Sequence, residues 1–245
     1  MRAAHVVVVT LTGAATEIIK NIVLAGIGRL TIIDDENVVP EDLGAGFFFR
    51  DSDIGSLRTA DAPLARIQEL NPLVKVGKGP RSALQDLSQL EANVVVASGM
   101  RDELIKLNAS CRAHDIMFYA TDVIGTGGYM FSDLGSYDYI VERSAPGKDT
   151  TATRMHQDFV SLADSLAWSG MGGTQRWSPG LWGIWAMWER FASGPKPDIS
   201  LETYSSELEE SAMHLLVEKG VNERSVFGRR SIERGPFFSC VSANQ

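Results

Sequence analysis

The residues of this chain that could do chemistry lie between its first strand and Asp34. A short loop, Thr10–Ala15, follows the apolar run His5–Val9, and Asp34 comes directly after a second apolar run, Leu30–Ile33. In a strand–helix–strand unit of this kind, the phosphates of a nucleotide lie on the helix N-terminus and the acid binds its ribose. The spacing therefore indicates the architecture of a mononucleotide site.

The loop itself argues against a working version of that site. Backbone amides can approach a phosphate closely where the loop carries glycines, and this loop contains only Gly13. Side chains at Thr10 and Ala15 would occupy the space that a phosphate needs. We predict a vestigial nucleotide loop, formed by Thr10, Gly13 and Ala15 with Asp34, that keeps the fold and has lost the ligand. Two alternative interpretations stay open. The strand–helix–strand unit is an ordinary one that never bound nucleotide, or Asp34 only ends a strand and caps the following loop.

The elements that must position this loop alternate in type as far as residue 120. Continuous β-branched runs predict buried strands, and apolar residues at helical spacing predict helices that rest one face on a sheet. The predicted strands after Leu30–Ile33 are Leu73–Val76, Asn93–Ala97 and Ile116–Tyr119, and the predicted helices are Glu17–Leu24, Arg58–Leu70, Ala83–Leu90 and Arg101–His114. Such alternation predicts an α/β fold with a doubly wound, mostly parallel, Rossmann-like sheet and helices on both faces. Tyr129–Phe131 and Tyr137–Glu142 are predicted to pair as an antiparallel edge.

The second half of the chain is less regular. We expect a polar connector at 143–155, and a strand or a short helix at 159–168. Pro179 is predicted to open a helix at Leu181–Ala192, which carries Trp182, Trp185 and Trp188 at three-residue spacing. The apolar surface of this helix is typical of a helix in the protein core and of one in a subunit interface, and both interpretations stay open. With the run Phe47, Phe48 and Phe49, the three tryptophans are the interface candidates.

Bulk composition excludes several classes of function. The formal net charge of −8 and the pI of about 5.1 argue against general affinity for nucleic acid or anionic membrane. No apolar stretch approaches the roughly 20 residues that span a bilayer. Cys111 and Cys240 are predicted to be buried, and the four histidines lack metal-ligand spacing. We therefore predict no metal site and no independent catalytic residues.

Several segments together resemble a known family. They are Glu17–Gly26, Leu30–Val38, Pro40–Phe47, Asp53–Gly55, Glu69–Pro72, Ile116–Gly125, Asp133–Gly135, Tyr204–Glu210 and Phe238–Val241. These segments resemble the ThiF-type adenylation domain of ubiquitin-like-protein activating enzymes. Within that family they are most similar to the regulatory subunits of heterodimeric SUMO-activating enzymes. The resemblance implies one adenylation-type domain over residues 1–245, with a less regular insertion at 143–200 and truncation at both ends.

Active members of the family have four features that can be compared with this sequence. Their glycine loop falls on Thr10–Ala15, and their Asn-Arg-Gln stretch, whose Arg supports the ATP phosphates, falls on Gly44–Gly46. Their phosphate-contacting Lys falls near Arg58, and their metal-binding Asp falls near Arg101. A cation in place of that Asp cannot ligate Mg²⁺. The resemblance thus implies a chain that binds no cofactor itself.

The resemblance also implies a partner. It predicts a heterodimer in which the catalytic subunit of a SUMO-activating enzyme holds ATP, Mg²⁺ and the thioester cysteine, with SUMO contacted through the complex. It implies residence in the nucleus, and also in the cytoplasm, with no nucleic-acid or membrane partner. The family's regulatory subunit lends an arginine from an N-terminal arm, for which residues 1–3 are too short. The alternatives are a regulatory subunit of the NEDD8-activating enzyme and a stand-alone ThiF-like nucleotide-binding enzyme.

Overall fold

A computed structural model describes residues 1–99, 101–124, 127–143, 151–167, 179–190 and 201–221. Its centre is a six-stranded sheet in the order β3-β2-β1-β4-β5-β6. The strands are β1 His5–Val9, β2 Arg29–Ile33, β3 Lys75–Lys78, β4 Val94–Ala97, β5 Met117–Ile124 and β6 Gly127–Asp133. The first five run parallel, and β6 is antiparallel to β5. The predicted doubly wound α/β sheet with an antiparallel edge is confirmed.

Helices cover the two faces of this sheet, as the sequence predicts. They are α1 Gly13–Leu24, α2 Asp61–Leu70, α3 Arg101–Ala113, α4 Leu162–Ala167, α5 Pro179–Arg190 and α6 Leu201–Glu218. Side chains alternate along each strand, so β1 directs Val6 and Val8 into one core and Val7 and Val9 into another. The first core contains α1 and α2 residues such as Ile19 and Ile67, and the second contains α3 residues and Trp188 from α5. Both cores meet at the strands that carry the candidate loop.

Several boundaries differ from the prediction, and local capping explains the first. The helix α1 begins at Gly13 rather than Glu17, because the Thr12 side chain accepts a hydrogen bond from the Ala15 N–H and caps it. The helix α2 begins at Asp61, so Arg58 lies in the preceding loop. The third strand is shifted to Lys75–Lys78, and the helix predicted at Ala83–Leu90 is two short 3₁₀ turns, Arg81–Gln85 and Leu87–Leu90.

The predicted edge pairing is wrong in its partners. The strand β6 pairs with β5, whereas β7, Ser136–Arg143, pairs with β8, Thr151–Asp158, in a separate two-stranded sheet. The polar connector expected at 143–155 therefore includes the start of a strand. Between β6 and β7, Gly135 has a φ of +65°, a conformation that glycine adopts without steric cost and that turns the chain out of the main sheet. The ambiguous segment after β8 contains the helix α4.

The aromatic interface candidates are mostly core residues. Trp182, Trp185 and Trp188 on α5 are all buried by this chain, and the ring of Trp188 packs edge-on against Tyr129 with centroids 4.8 Å apart. Phe48 and Phe49 are buried likewise, so their side chains and those of the tryptophans are not available to a partner. Burial within this chain favours a core position over a subunit interface for these five residues. Phe47, in contrast, is 64% exposed beneath Lys20, and the interface stays a prediction.

The amphipathic pattern of the sequence also predicts a helix over Leu208–Lys219. The corresponding helix α6 begins earlier, at Leu201. The apolar run 237–241 lies outside the described residues, as does Cys240.

Candidate functional site

The carboxylate of Asp34 is held by the chain's own backbone. It lies at the end of β2, is only 6% exposed, and accepts hydrogen bonds from the N–H of Leu11 at 2.6 Å and from the N–H of Glu36 at 2.9 Å. The Leu11 N–H belongs to the loop in which a phosphate would lie. Asp34 therefore closes the loop onto β2, which is the geometry of an acid that caps a loop.

The loop after β1 has the shape of a tight turn filled with side chains. Thr10 has a φ of +67°, a strained value for a β-branched residue and one that a glycine would adopt freely. The Leu11 side chain is buried in the core on the α1 face of the sheet. Thr12 accepts from the Ala15 N–H at 3.3 Å. Two amides of this loop are thus engaged by the chain itself, through Asp34 and Thr12.

A second segment closes over the start of α1. Gly44–Gly46, where active family members carry their Asn-Arg-Gln stretch, brings the methyl group of Ala45 against Gly13. A Cβ placed on Gly13 would lie 2.8 Å from the Cβ of Ala45, closer than two such atoms approach. Gly13 is therefore required for the contact with Ala45. In active members of the family, by the resemblance, a glycine serves instead to admit phosphate.

Arg58, near which the resemblance places the phosphate-contacting Lys of active family members, is enclosed by three carboxylates. It donates to both oxygens of Asp42, at 3.0 and 2.9 Å, and to Glu36, and it lies 3.7 Å from Asp34. Burial opposes the charged form of Arg58, but the hydrogen bonds to Asp42 and the neighbouring negative charges outweigh burial and raise the pKa of Arg58. The positive charge of the Arg58 guanidinium is therefore balanced by carboxylates of the protein itself.

Arg101, near which the resemblance places the metal-binding Asp of active family members, begins α3 and lines a different part of the molecule. Its Nε donates to Asp102 at 3.1 Å. Together with Trp185 and Lys219 it lines a cavity of about 210 Å³ between α3, α5 and α6. Across the described ranges, no three His, Cys, Asp or Glu residues are arranged to hold a metal ion.

Cys111, the described cysteine, is buried on the inward face of α3 as predicted. Burial, and to a smaller degree the charge of Asp133, raises the pKa of its thiol to about 12. A thiol with that pKa is almost wholly protonated at neutral pH and is a poor nucleophile.

Sequence reasoning identified Thr10, Gly13, Ala15 and Asp34 but missed their partners. The structure places Thr10 in the loop after β1 and Gly13 at the first position of α1, and Asp34 contacts this loop through the Leu11 N–H, while Ala15 is buried inside α1. The missed partners are Leu11, Glu36 and Ala45, and Asp42 was missed as a partner of Arg58. Leu11, an apolar residue between two threonines, is the one signal of a loop that packs inward.

The fold and the loop define an α/β protein with the architecture of a mononucleotide-binding domain. The model of the ThiF family matches residues 1–132, more than half of the sequence, and the chain belongs to the ThiF family. The resemblance to the ThiF family that was inferred from the sequence is therefore confirmed.

Curated relatives sharpen the assignment. SUMO-activating enzyme subunit 1 of Homo sapiens is 38% identical over 155 residues, which cover 60% of this chain and 43% of the relative. The Rattus norvegicus protein of the same name is 37% identical, covering 59% and 42%. The DNA damage tolerance protein RHC31 of Saccharomyces cerevisiae is 39% identical, covering 55% and 39%. The chain thus spans less than half the length of these relatives.

A solved structure of the microcin C7 biosynthetic enzyme MccB in complex with N-formylated MccA aligns with a TM-score of 0.46 and 19% identity. The alignment covers 51% of this chain and 37% of that one. Among the helices that the structure describes, none is both long enough and apolar enough to cross a bilayer.

Proposed function

We propose that this chain is the non-catalytic regulatory subunit of a heterodimeric SUMO-activating enzyme. The observation that carries the proposal is the engagement of Asp34 by the Leu11 N–H, with Arg58 enclosed by Asp34, Glu36 and Asp42. The groups that would bind ribose and phosphate are thereby committed to the chain's own contacts. Similarity to SUMO-activating enzyme subunit 1 supports the choice of pathway.

In this proposal the catalytic partner supplies the chemistry. It binds ATP and Mg²⁺, adenylates SUMO and forms the thioester, whereas this chain supports the partner's adenylation domain and contacts SUMO through the complex. The proposed heterodimer works in the nucleus, and also in the cytoplasm.

The first experiment tests assembly. The purified chain is mixed with the catalytic subunit of the human SUMO-activating enzyme, and the mass of the complex is measured by size exclusion with light scattering. A one-to-one complex is expected. The catalytic subunit of the NEDD8-activating enzyme serves as a matched control and should not assemble. If the chain assembled with the NEDD8 catalytic subunit and not with the SUMO catalytic subunit, it would instead be a regulatory subunit of the NEDD8-activating enzyme.

A second measurement addresses the stand-alone alternative. Calorimetric titration of the isolated chain with ATP, with and without Mg²⁺, is expected to give no heat of binding. Binding that depends on Mg²⁺ would contradict the non-catalytic role and favour a ThiF-like enzyme that acts alone.

A further inference from the structure

The end of α6 places a lysine against the interior of the molecule. Lys219 directly follows α6, and Gly220, with a φ of +66°, ends the helix in the left-handed conformation that glycine adopts freely. The Nζ of Lys219 donates to the Leu166 carbonyl of α4 at 3.0 Å and lies 5.2 Å from the centroid of the Trp185 ring on α5. These contacts leave the Lys219 side chain only 10% exposed.

The charge of Lys219 is only loosely compensated. Within the described part of the chain, the carboxylate that pairs with it is that of Glu218, which lies 3.9 Å from Nζ and is itself 56% exposed. That distance is too long for a hydrogen bond. An ammonium group can donate three hydrogen bonds, and the Leu166 carbonyl accepts one of them. A buried cation of this kind gains from a further oxygen acceptor, above all from a charged one.

Lys219 lines the cavity of about 210 Å³ that lies between α3, α5 and α6. Its other described lining residues are mostly apolar: Ile105, Leu166, Ala167, Trp185 and Leu215, with Arg101 and Glu218. Arg101 already donates to Asp102, so Lys219 is the cation with donor capacity to offer. Ala167 and Glu218 are exposed, which gives the cavity an opening to solvent.

The volume of the cavity restricts the size of a ligand. A cavity of about 150 Å³ with apolar walls can hold one benzene molecule, whereas drug-sized ligands occupy sites of about 300 Å³ or more. A cavity of about 210 Å³ therefore has room for one ring and a small substituent.

We propose that this cavity binds a small monocarboxylate whose apolar body is about the size of one ring. Its carboxylate accepts hydrogen bonds from the Lys219 ammonium, and its body packs against Ile105 and Leu215. The ligand contacts residues of α3, α4, α5 and α6 at once, so its binding stabilises the folded chain. The site belongs to this chain alone and does not depend on the function proposed above.

The first test compares two probes of nearly the same shape, benzoate and its uncharged counterpart benzamide. Two-dimensional NMR titration of the full chain measures each affinity, and the amides that shift show where the probe lies. We expect benzoate to shift the amides of Ile105, Leu166 and Leu215. Benzamide should bind roughly tenfold more weakly, because a hydrogen bond from an ammonium to a carboxylate is stronger than one to a neutral oxygen.

The second test uses a matched pair of lysine variants. Lys219→Met removes the ammonium and keeps an apolar side chain, so it should weaken benzoate binding about tenfold and abolish the preference over benzamide. Lys106→Met changes an exposed lysine of α3 outside the cavity and should leave both affinities unchanged. Ile105→Trp fills the cavity while Lys219 stays in place, and it should abolish binding of both probes. Circular dichroism and a thermal melt verify that each variant folds.

Several results would overturn the proposal. One is the absence of amide shifts around the cavity at a benzoate concentration of about 10 mM, where even a weak ligand of this size is bound. Equal affinities for benzoate and benzamide would remove the carboxylate as the recognised group. Equal losses in Lys219→Met and Lys106→Met would mean that benzoate responds to the general charge of the chain. The comparison of the two probes on the unmodified chain decides the proposal even where Lys219→Met does not fold.

Discussion

The N–H of Leu11 donates to Asp34 across 2.6 Å, and this contact joins the loop after β1 to the end of β2. A ribose-binding acid in a working site must present its carboxylate to the ligand. Here the same carboxylate also accepts from the Glu36 N–H and lies beside Arg58. The position has thus become part of the protein's internal hydrogen bonding.

The first prediction follows from this contact. Asp34→Ala should lower the free energy of unfolding by about 1–3 kcal/mol, because two backbone N–H groups lose their acceptor and Arg58 loses a neighbouring charge. Urea unfolding of the isolated chain measures the change. The matched control is Asp35→Ala, since Asp35 is exposed and pairs loosely with Arg81 at 3.5 Å. Its effect should stay within about 0.5 kcal/mol. Equal effects of both substitutions would show that Asp34 does not stabilise the loop.

The second prediction concerns the contact that closes over α1. Alanine is normally a better helix former than glycine by up to about 1 kcal/mol. Gly13→Ala should nonetheless destabilise the protein by about 1–3 kcal/mol, because the new methyl group would meet Ala45 at 2.8 Å.

A double-mutant cycle provides the test. Ala45→Gly should restore most of the stability lost in Gly13→Ala, which gives a coupling free energy of the opposite sign. Gly44→Ala is the control, because Gly44 precedes Ala45 and the added methyl group would have nothing within 4 Å. This substitution should leave the free energy of unfolding unchanged. Additive effects of Gly13→Ala and Ala45→Gly would mean that the two residues do not touch.

The third prediction uses the buried thiol. Cys111 should resist alkylation by iodoacetamide at pH 7 in the folded chain, because the reagent cannot reach it and burial raises its pKa to about 12. Peptide mass spectrometry after timed exposure reads out the modification at this residue, and the same sample in urea supplies the fully labelled reference. Rapid labelling of Cys111 under native conditions would contradict its placement in the core.

Elements with a local apolar signal were predictable from the sequence. The strand His5–Val9 is a continuous β-branched run, and the tryptophans of α5 recur at helical spacing, so both are found where predicted. The strand β8 has no such signal, because its residues are mostly polar and exposed. It is defined by pairing with β7 across a connection of the chain that local patterns do not encode.

The site shows the same limit. A loop filled with side chains was predictable from the residue types at Thr10 and Ala15. The enclosure of Arg58 was not, because Glu36 and Asp42 lie far from it in sequence and reach it only through the folded loop. The sequence also placed Arg58 inside a helix, which would have separated it from those carboxylates.

The last prediction concerns pH. His5 is buried, with Nε2 2.8 Å from the Thr31 hydroxyl and Nδ1 3.3 Å from the Glu91 carbonyl. Burial, followed by the charge of Arg29, lowers the pKa of His5 below its usual 6.5. The unfolded chain therefore binds more protons than the folded one just below pH 6.5, so stability should fall as pH drops below that value. His5→Gln should remove this part of the decline when urea unfolding is compared at pH 8 and pH 5.5.

His156 on β8 provides a control of opposite sign. The hydrogen bond from its ring to Asp138, with the charge of Asp158, raises the pKa of His156 above 6.5 in the folded state. The stability that His156 contributes to the folded state is present below pH 6.5 and is lost as the pH rises through the folded-state pKa. His156→Gln should therefore steepen the loss of stability on acidification, whereas His5→Gln should flatten it. Shifts in the same direction for both variants would mean that the environment of His5 does not disfavour its charged form.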